Sequence, residues 1–413
     1  MVRANGLRRP GVETTDQGET MIRWVVAAIG ICIAATPVRA AEPVEIGIGY
    51  LARAGIKQKL SLVEMPAEND GMAGARLGVE DNNTTGKFLN QRFALEEVRL
   101  KEHDDVAKAA TALAARNGFI IADLPADDLL KASEALRDRG TLLLNAGATD
   151  DRLREQDCRA NVLHVAPTRS MLADALAQYL VWKQWKRWLF VVGSHERDRL
   201  YGDALRRAAT RFGAKIVQER VFEDTGGARR TDSGVTLIQR QMPVFTQQAP
   251  AYDVLVAADE SEVFASYLPY RTWDPRPVAG SAGLVPTSWH AAQDQWGAVQ
   301  IQNRFLKLNS RPMTALDMQA WTAARMIGEA ASRTKSGDAK AVSDFLKGPD
   351  FSIAAFKGRR LTLRDWNLQL RQPILLVDGR MVVSVSPQEG FLHQVSELDT
   401  LGVDRPETKC KLH

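Results

Sequence analysis

The sequence contains residue types found in catalytic sites, but not in the spacing that catalysis requires. Ser281 lies in a Gly-Ser-Ala-Gly turn, which lacks the GxSxG pattern and the strand-to-helix context of a serine nucleophile. Asp150-Asp151 and Asp259-Glu260 are pairs of adjacent acidic residues on loops. The side chains of adjacent loop residues usually point apart, so neither pair suits acid–base catalysis. Polar residues that follow parallel strands commonly contact a ligand instead, and Ser281 is a candidate for such a contact. The pattern therefore favours binding over catalysis, and we predict that the chain is not an enzyme.

Nucleotide and metal motifs are also incomplete. The segment from Gly47 to Ala52 fits a loose GxGxxA pattern, but no helix follows it directly, as a dinucleotide site requires. The chain contains no GxxxxGKS/T loop, so ATP hydrolysis would have to come from another polypeptide. Its six histidines form no HxH or HxxxH pair, and we therefore expect no structural metal and no catalytic cofactor.

Composition and the N-terminus indicate a folded, exported protein. Of the 413 residues, 45% are hydrophobic and 25% charged, and the net charge of only +4 disfavours nucleic-acid binding driven by bulk charge. From Met21, a basic residue, an apolar run over 25–35 and a small-x-small motif ending at Ala40 form a signal-peptide pattern. We predict cleavage after Ala40, with residues 1–20 as an extension before the true start. The apolar run is too short to span a bilayer.

Two cysteines remain in the predicted mature chain, Cys158 and Cys410. In an oxidising compartment, such a pair can form a disulfide, which would tie the C-terminal tail to the body of the fold. The sequence gives no distance between the two residues and leaves their pairing open.

Short apolar runs alternate with helical segments, which predicts mostly parallel sheets with helices on both faces. Two of these helices are predicted over 105–116 and 203–212, because each segment begins at an acidic residue, Asp105 or Asp203, and ends just before a glycine-containing turn. One round of strands ends near residue 167, and a second round begins with a helix after Thr168. The last third differs, with a long helix over 315–333 and a β-rich meander over 361–386. The expected fold is α/β, with two Rossmann-like lobes. The predicted strands are 44–51, 93–100, 118–124, 141–147 and 162–167, then 188–193, 214–222, 252–259 and 276–283.

Several segments resemble a known family. The strand-end loops NAGATDD (145–151) and SHERDRLYGDAL (194–205) are similar to those of the type I periplasmic substrate-binding proteins of the branched-chain amino-acid and amide class. GMAGARLGVEDNNTTGKFLNQ (71–91) and the ending LDTLGVDRPETKCKL (398–412) resemble the subfamily associated with PQQ-dependent alcohol oxidation. The resemblance implies a periplasmic protein that holds a small ligand between two lobes. It also implies an ABC permease and its ATPase as partners.

The resemblance further implies three crossovers between the lobes, which would act as a hinge. We place these crossovers near 166–168, 281–285 and 343–352. The predicted domains are an N-lobe of 41–167 with 283–345, a C-lobe of 168–282 with 346–390, and a C-terminal tail of 391–413, after the 1–40 extension and signal peptide.

In the wider class, hydroxyl groups and backbone amides of two N-lobe loops bind a ligand carboxylate, and a C-lobe acid binds its amino group. Thr149, Glu260 and Tyr201 match such positions in this sequence. The first loop departs from the class, because Asp123-Leu-Pro replaces a pair of serines and adds a negative charge. This departure disfavours an amino acid as the ligand.

The subfamily's association indicates PQQ, a planar tricarboxylated quinone, as the bound ligand. Such a molecule needs several cationic contacts and aromatic stacking. Arg53, Arg169 and His195 are the cationic candidates by position in the sequence. Trp289 and Trp321 are the stacking candidates, since both lie near the expected junction of the lobes, and packing in the core is the alternative for each.

This hypothesis makes a simple comparison possible. Charge reversal at Arg53 or Arg169 should weaken binding far more than reversal at Arg229 or Arg230, which we place on an exposed loop.

Two alternatives stay open. The same fold could bind an amino-acid-like solute or a small organic acid. The chain could also be an exported enzyme or a ligand sensor that acts on a membrane receptor, since transport and sensing differ only in the partner.

Overall fold

A computed structural model of the chain describes residues 42–53, 67–226 and 237–412. The predicted signal peptide with its cleavage site at Ala40 lies outside the described residues, as do Arg229 and Arg230. Within the described ranges, no helix is both long enough and apolar enough to cross a membrane.

The first sheet has five parallel strands with helices on both faces. Its side chains alternate between two apolar clusters, with Tyr50 and Ile121 on one face and Leu51 and Ile120 on the other. Burial on both faces explains why the central strands β3 and β4 are mostly apolar, whereas the edge strand β2 carries charged residues. The elements are β1 (Val44–Arg53), α1 (Met72–Leu89), β2 (Gln91–Leu100), α2 (Val106–Ala114), β3 (Phe119–Asp123), α3 (Ala126–Ala135), β4 (Leu142–Asn145) and β5 (Val162–His164). The strand order is β2-β1-β3-β4-β5.

The second sheet repeats this plan with four parallel strands. Its elements are α4 (Arg169–Trp182), β6 (Arg187–Gly193), α5 (Glu196–Phe212), β7 (Lys215–Phe222), α6 (Leu237–Thr246), β8 (Val254–Ala258), α7 (Leu268–Arg271) and β9 (Val278–Gly280). The strand order is β7-β6-β8-β9. The two sheets confirm the predicted α/β fold with two lobes whose parallel sheets are flanked by helices.

The last third adds elements to both lobes. Helix α9 packs on α1 so closely that a Cβ atom on Gly74 would lie 1.9 Å from the carbonyl oxygen of Asp317. The elements are β10 (Val285–Thr287), α8 (Ala298–Asn309), α9 (Ala315–Thr334), α10 (Ala339–Lys347), β11 (Ile353–Ala354), β12 (Arg360–Leu361), β13 (Ile374–Val377) and β14 (Val382–Ser386). Strands β10, β13 and β14 form a small antiparallel sheet.

The apolar clusters place the third crossover later than the sequence did. We predicted residues 346–390 in the C-lobe, but Phe351, Leu361 and Leu370 are buried in the same cluster as β1, in the N-lobe. The C-lobe cluster resumes only at Ile374. Residues 361–370 do not form a meander strand, because they fold back on themselves through a bridge between Leu363 and Leu370. We therefore propose crossovers near 165–168, 287–289 and 371–373.

Some helix boundaries also differ from the prediction. Helix α5 begins at Glu196 instead of Asp203, because the Asp198 carboxylate accepts the backbone N–H of His195 and caps the earlier turn. The prediction also missed α6 and α8. By contrast, Asp105 caps α2 as expected, by accepting the N–H groups of Ala107 and Lys108.

The C-terminal segment is attached to the rest of the fold by a disulfide. Cys158 and Cys410, 252 residues apart in sequence, are bonded to each other. The structure thus contains the pairing that the sequence left open.

Candidate functional site

A cavity of about 1370 Å³ lies between the two lobes, at the carboxyl ends of their parallel strands. Strand β1 ends at it with Arg53 and β3 with Asp123. The first residues of α3, α4 and α5 also line it, so both lobes contribute to its wall. This is the position in which doubly wound α/β folds bind ligands.

The described wall of the cavity is strongly polar and carries both signs of charge. It includes six arginines and nine acidic residues, and no aromatic side chain belongs to the described part of the wall. The arginines are Arg53, Arg99, Arg152, Arg169, Arg197 and Arg207. The acids are Glu68, Asp70, Asp123, Asp127, Asp150, Asp151, Glu155, Glu196 and Asp203.

Arg53 lines the cavity, but protein groups surround its guanidinium. Its Nε donates to the carboxylate of Asp128, and Nη1 donates to the carbonyl of Lys101 and, at 2.9 Å, to that of Glu102. Nη2 donates to the carbonyl of Asp104 at 2.9 Å. The side chain therefore fastens the loop between β2 and α2 to the end of β1. This role explains its position without a ligand.

Arg169, the first residue of α4, lines the cavity and forms ion pairs with Glu260 and Asp150. Its Nε lies 3.0 Å from both carboxylate oxygens of Glu260, and Nη2 lies 2.8 Å from one of them. Nη1 lies 3.3 Å from Asp150. Burial alone lowers the pKa of the Arg169 guanidinium, but the hydrogen bonds and charge of Glu260 outweigh burial and raise it. Glu260, which we predicted to bind a ligand amino group, is thus paired with Arg169 and is not among the described residues of the cavity wall.

Asp123 and Thr149 lie where the sequence placed them, on the N-lobe wall of the cavity. The Tyr50 hydroxyl donates to the Asp123 carboxylate at 3.4 Å. Burial, and then the charge of Asp123, raise the pKa of Tyr50. The carbonyl of Thr149 accepts the backbone N–H of Arg169 at 2.9 Å, which links the two lobes at the first crossover.

Three further predicted residues lie away from the described wall. His195 is exposed, with its Nε2 3.0 Å from Asp224. Tyr201 is buried in the apolar cluster of the C-lobe, and that burial raises its pKa. The Ser281 hydroxyl accepts the backbone N–H of Asp259 at 2.8 Å and holds the ends of β8 and β9 together.

The two tryptophans predicted to stack on a ligand are core residues instead. Trp289 and Trp321 are only 2% and 3% exposed and belong to the N-lobe apolar cluster. The Trp321 indole donates to Asp81 at 2.9 Å, and its ring centre lies 5.5 Å from that of Phe356. Trp321 lies on the face of α9 that packs against α1, and its hydrogen-bond partner Asp81 belongs to α1, so core packing, the alternative to stacking, describes its position.

Sequence reasoning missed several residues of the wall. Arg152 contacts Asp127 and Asp157, and Arg207 reaches the buried Asp174. Arg197 forms no hydrogen bond or ion pair with the described residues, which makes its guanidinium available at the C-lobe side of the cavity. The strand-end rule could have found Arg152, which closely follows β4. Arg197 was missed because we started α5 at Asp203, seven residues too late. Arg207 lies within the predicted helix, where no local signal indicated that it faces the cavity.

The described residues contain no group of three His, Cys, Asp or Glu side chains that could hold a metal ion. The arrangement that they do form places four ion-paired arginines, Arg53, Arg152, Arg169 and Arg207, around a large cavity. Such an arrangement can bind a polar solute by exchanging its internal ion pairs for contacts to the ligand.

Comparisons with known proteins agree with this geometry. Residues 64–232 match a family model described as periplasmic binding protein. No curated protein matches the sequence.

Many solved structures share the fold. A leucine-, isoleucine-, valine-, threonine- and alanine-binding protein from Brucella ovis, in a closed conformation, is 14% identical with a TM-score of 0.66, over 90% of this chain and all (100%) of that one. A periplasmic ligand-binding protein of a branched-chain amino-acid ABC transporter from Burkholderia xenovorans is 18% identical with a TM-score of 0.65, over 82% of this chain and 95% of that one. A periplasmic binding protein from Burkholderia mallei is 15% identical with a TM-score of 0.62, over 90% and 100% of the two chains. The chain therefore has the two-lobed α/β fold of the type I periplasmic binding proteins, and residues 64–232 match the sequence model of that family.

Proposed function

We propose that the chain is the periplasmic solute-binding component of an ABC-type uptake system and binds a small polar solute between its lobes. The observation that carries this proposal is the cavity of about 1370 Å³, whose wall is built by both lobes at the carboxyl ends of their strands. A ligand that contacts both walls stabilises the closed arrangement of the lobes. A permease with its ATPase would then recognise the closed form.

The ligand of this proposal carries at least one anionic group. Arg169 and Arg197 line the cavity from the C-lobe, and Thr149 supplies a hydroxyl from the N-lobe. PQQ, the ligand indicated by the sequence resemblance, is the first candidate, and the system would then serve PQQ-dependent alcohol oxidation. The arginines of the wall support PQQ. The lack of an aromatic side chain on the described wall counts against the stacking that we expected for it.

An amino-acid-like solute is the second candidate. The acids outnumber the arginines on the described wall, so a ligand with an ammonium group would also find partners there. Two of the similar structures are of proteins named for branched-chain or other amino acids. Glu260 would bind the ammonium group if the ligand displaced Arg169 from it.

Isothermal titration of the purified chain from residue 41 onward tests the proposal and separates the candidates. PQQ, leucine and citrate, a simple tricarboxylate, are titrated separately at micromolar protein. One-to-one binding of PQQ alone supports the first candidate, and binding of leucine alone supports the second. Citrate controls for charge, because a site that recognises only negative charge would bind citrate as tightly as it binds PQQ.

The same samples test the remaining alternatives. Chromatography of each mixture after incubation would reveal a product if the chain were an enzyme. Absence of binding by all three compounds would reject both candidates and leave the two-lobed fold without a ligand of either class.

A further inference from the structure

The C-terminal segment is anchored first in the C-lobe. The backbone N–H of Gly402 donates to Asp174 at 2.8 Å, and the Gly402 carbonyl accepts from Arg207 at 3.1 Å and Arg211 at 2.6 Å. Asp174 lies in α4 and is fully buried, and Leu401 belongs to the apolar cluster of the C-lobe. This anchor is therefore part of the C-lobe itself.

Six residues later the same segment is anchored in the N-lobe. The Glu155 carboxylate accepts the hydroxyl of Thr408 at 3.1 Å and the backbone N–H of Lys409 at 2.7 Å. Cys410 is then bonded to Cys158. Glu155 and Cys158 both precede β5 in the N-lobe, so this second anchor includes a covalent bond.

The segment passes from one lobe to the other beside the cavity. Arg207 and Glu155 both line the cavity, from the C-lobe and the N-lobe respectively. Glu407 lies 3.3 Å from Arg207, and the next residue, Thr408, contacts Glu155. Two consecutive residues, Glu407 and Thr408, thus contact opposite walls of the cleft.

The start of the segment is fixed near the third crossover. Arg364, which is only 1% exposed, donates to Asp399 at 2.9 Å and to the carbonyls of Leu398 and Leu401. Arg371 also contacts Asp399, at 2.9 Å. The segment therefore follows the hinge before it crosses the cleft.

We propose that residues 402–410 form a strap that limits how far the two lobes open. Opening separates the walls of the cleft, and the strap joins those walls through two anchors. Its eight peptide units reach at most about 26–29 Å when fully extended. Wider opening requires the loss of the buried Asp174 anchor or of the disulfide. Smaller opening already breaks the contacts to Glu155 or Arg207.

The strap does not depend on which ligand the cavity binds. It restricts the open form in the absence of any ligand, and it positions Glu155 and Arg207 on the cavity wall. A test without ligand therefore separates this inference from the proposed function.

The test compares the ligand-free wild-type chain with the double variant C158S/C410S. Small-angle X-ray scattering measures the radius of gyration, and hydrogen exchange with mass spectrometry measures amide protection in each segment. We expect a larger radius in the double variant and several-fold faster exchange at 165–168, 371–373 and 402–410. Exchange in the central strands β1 and β6 should change little.

A matched variant separates the covalent bond from its neighbouring contacts. Glu155→Gln weakens the hydrogen bonds to Thr408 and Lys409 but keeps the disulfide, so exchange should rise at 408–410 while the radius stays close to that of the wild type. Brief reduction of the folded wild type with dithiothreitol gives a second route to an open strap if C158S/C410S does not fold. Equal radii with and without the disulfide would overturn the proposal, as would faster exchange spread evenly over both sheets.

Discussion

Arg169 and Glu260 satisfy each other at the cavity, with the Arg169 Nε 3.0 Å from both oxygens of the Glu260 carboxylate. The sequence assigned these two side chains to opposite groups of a ligand, the first to an anion and the second to an ammonium group. In the structure, a ligand must compete with one of them to reach the other. Glu260 therefore occupies the place that an anionic ligand group would take on Arg169, and Arg169 occupies the place that a ligand ammonium group would take on Glu260.

Replacement of Glu260 distinguishes the two candidate ligands. Glu260→Gln frees Arg169 from its strongest partner, so the affinity for PQQ should rise about tenfold, which corresponds to about 1.4 kcal/mol. The affinity for an amino acid should fall instead, because the ammonium group loses its carboxylate. Isothermal titration of both compounds against the variant measures the two effects.

Glu196→Gln is the control for this experiment. Glu196 lines the cavity, but it does not contact Arg169. Equal gains in PQQ affinity for both variants would mean that the net charge of the cavity matters and the ion pair does not.

Trp321 should contribute to stability and not to ligand binding. Its side chain is 3% exposed, packs against Phe356 and donates to Asp81. Trp321→Leu should therefore lower the free energy of unfolding by roughly 3 kcal/mol, as large-to-small changes in a core do. Ligand affinity per folded molecule should remain within about twofold, since no contact to the cavity is lost.

Urea titration and isothermal titration measure these two quantities for Trp321→Leu. Trp273→Leu is the matched control. Because Trp273 is 60% exposed, this substitution should lower the free energy of unfolding by less than about 0.5 kcal/mol. A large loss of ligand affinity in Trp321→Leu, but not in Trp273→Leu, would show that Trp321 contacts the ligand.

The two parallel sheets could be predicted from the sequence because the apolar pattern of each segment agrees with its position in the fold. The central parallel strands are buried on both faces and therefore appear in the sequence as short apolar runs, whereas the edge strands β2 and β7 carry charged residues. The segment 361–370 shows the limit of this argument. Its alternating pattern predicts a strand, yet Arg364 within it is buried against Asp399, and a contact across 35 residues leaves no local signature.

The site was predicted only in part, for a related reason. The family resemblance indicated Asp123 and Thr149. Position in the sequence indicated Arg53, at the end of a strand, and Arg169, at the first crossover. It could not show that Arg53 and Arg169 are already paired, since their partners lie far away in sequence. Burial of Trp321 likewise depends on which face of α9 packs against α1, a helix more than 200 residues earlier in the chain.

Arg53 should prove to be a structural residue. Its guanidinium contacts Asp128 and three backbone carbonyls, and its side chain is only 13% exposed. Arg53→Met leaves these acceptors without a donor and should lower the free energy of unfolding by about 2–4 kcal/mol. Arg240→Met, at an exposed position on α6, should change it by less than about 0.5 kcal/mol.

Urea titrations of both variants and the wild type measure this difference. Ligand affinity per folded molecule provides the second readout. Unchanged stability of Arg53→Met together with lost binding would show that Arg53 contacts the ligand, as the sequence predicted.

Lys357 is a buried cation at the hinge. Its Nζ donates to the Gln372 side chain at 2.5 Å, and Gln372 donates in turn to the carbonyl of Val165 at 2.6 Å. This chain of hydrogen bonds joins the third crossover to the first. Burial lowers the pKa of Lys357 to about 7.

The free energy of unfolding should therefore rise with pH above neutrality. Since the pKa of Lys357 is lower in the folded chain than in the unfolded chain, the unfolded chain binds more protons between about pH 7 and pH 10. Over this window Lys357 should add up to about 1.4 kcal/mol of stability per pH unit. Urea titrations across the window compare the wild type with Lys357→Met, which lacks this contribution, and with Lys108→Met at an exposed position. A wild-type advantage over Lys357→Met that does not grow with pH would show that Lys357 keeps an ordinary pKa.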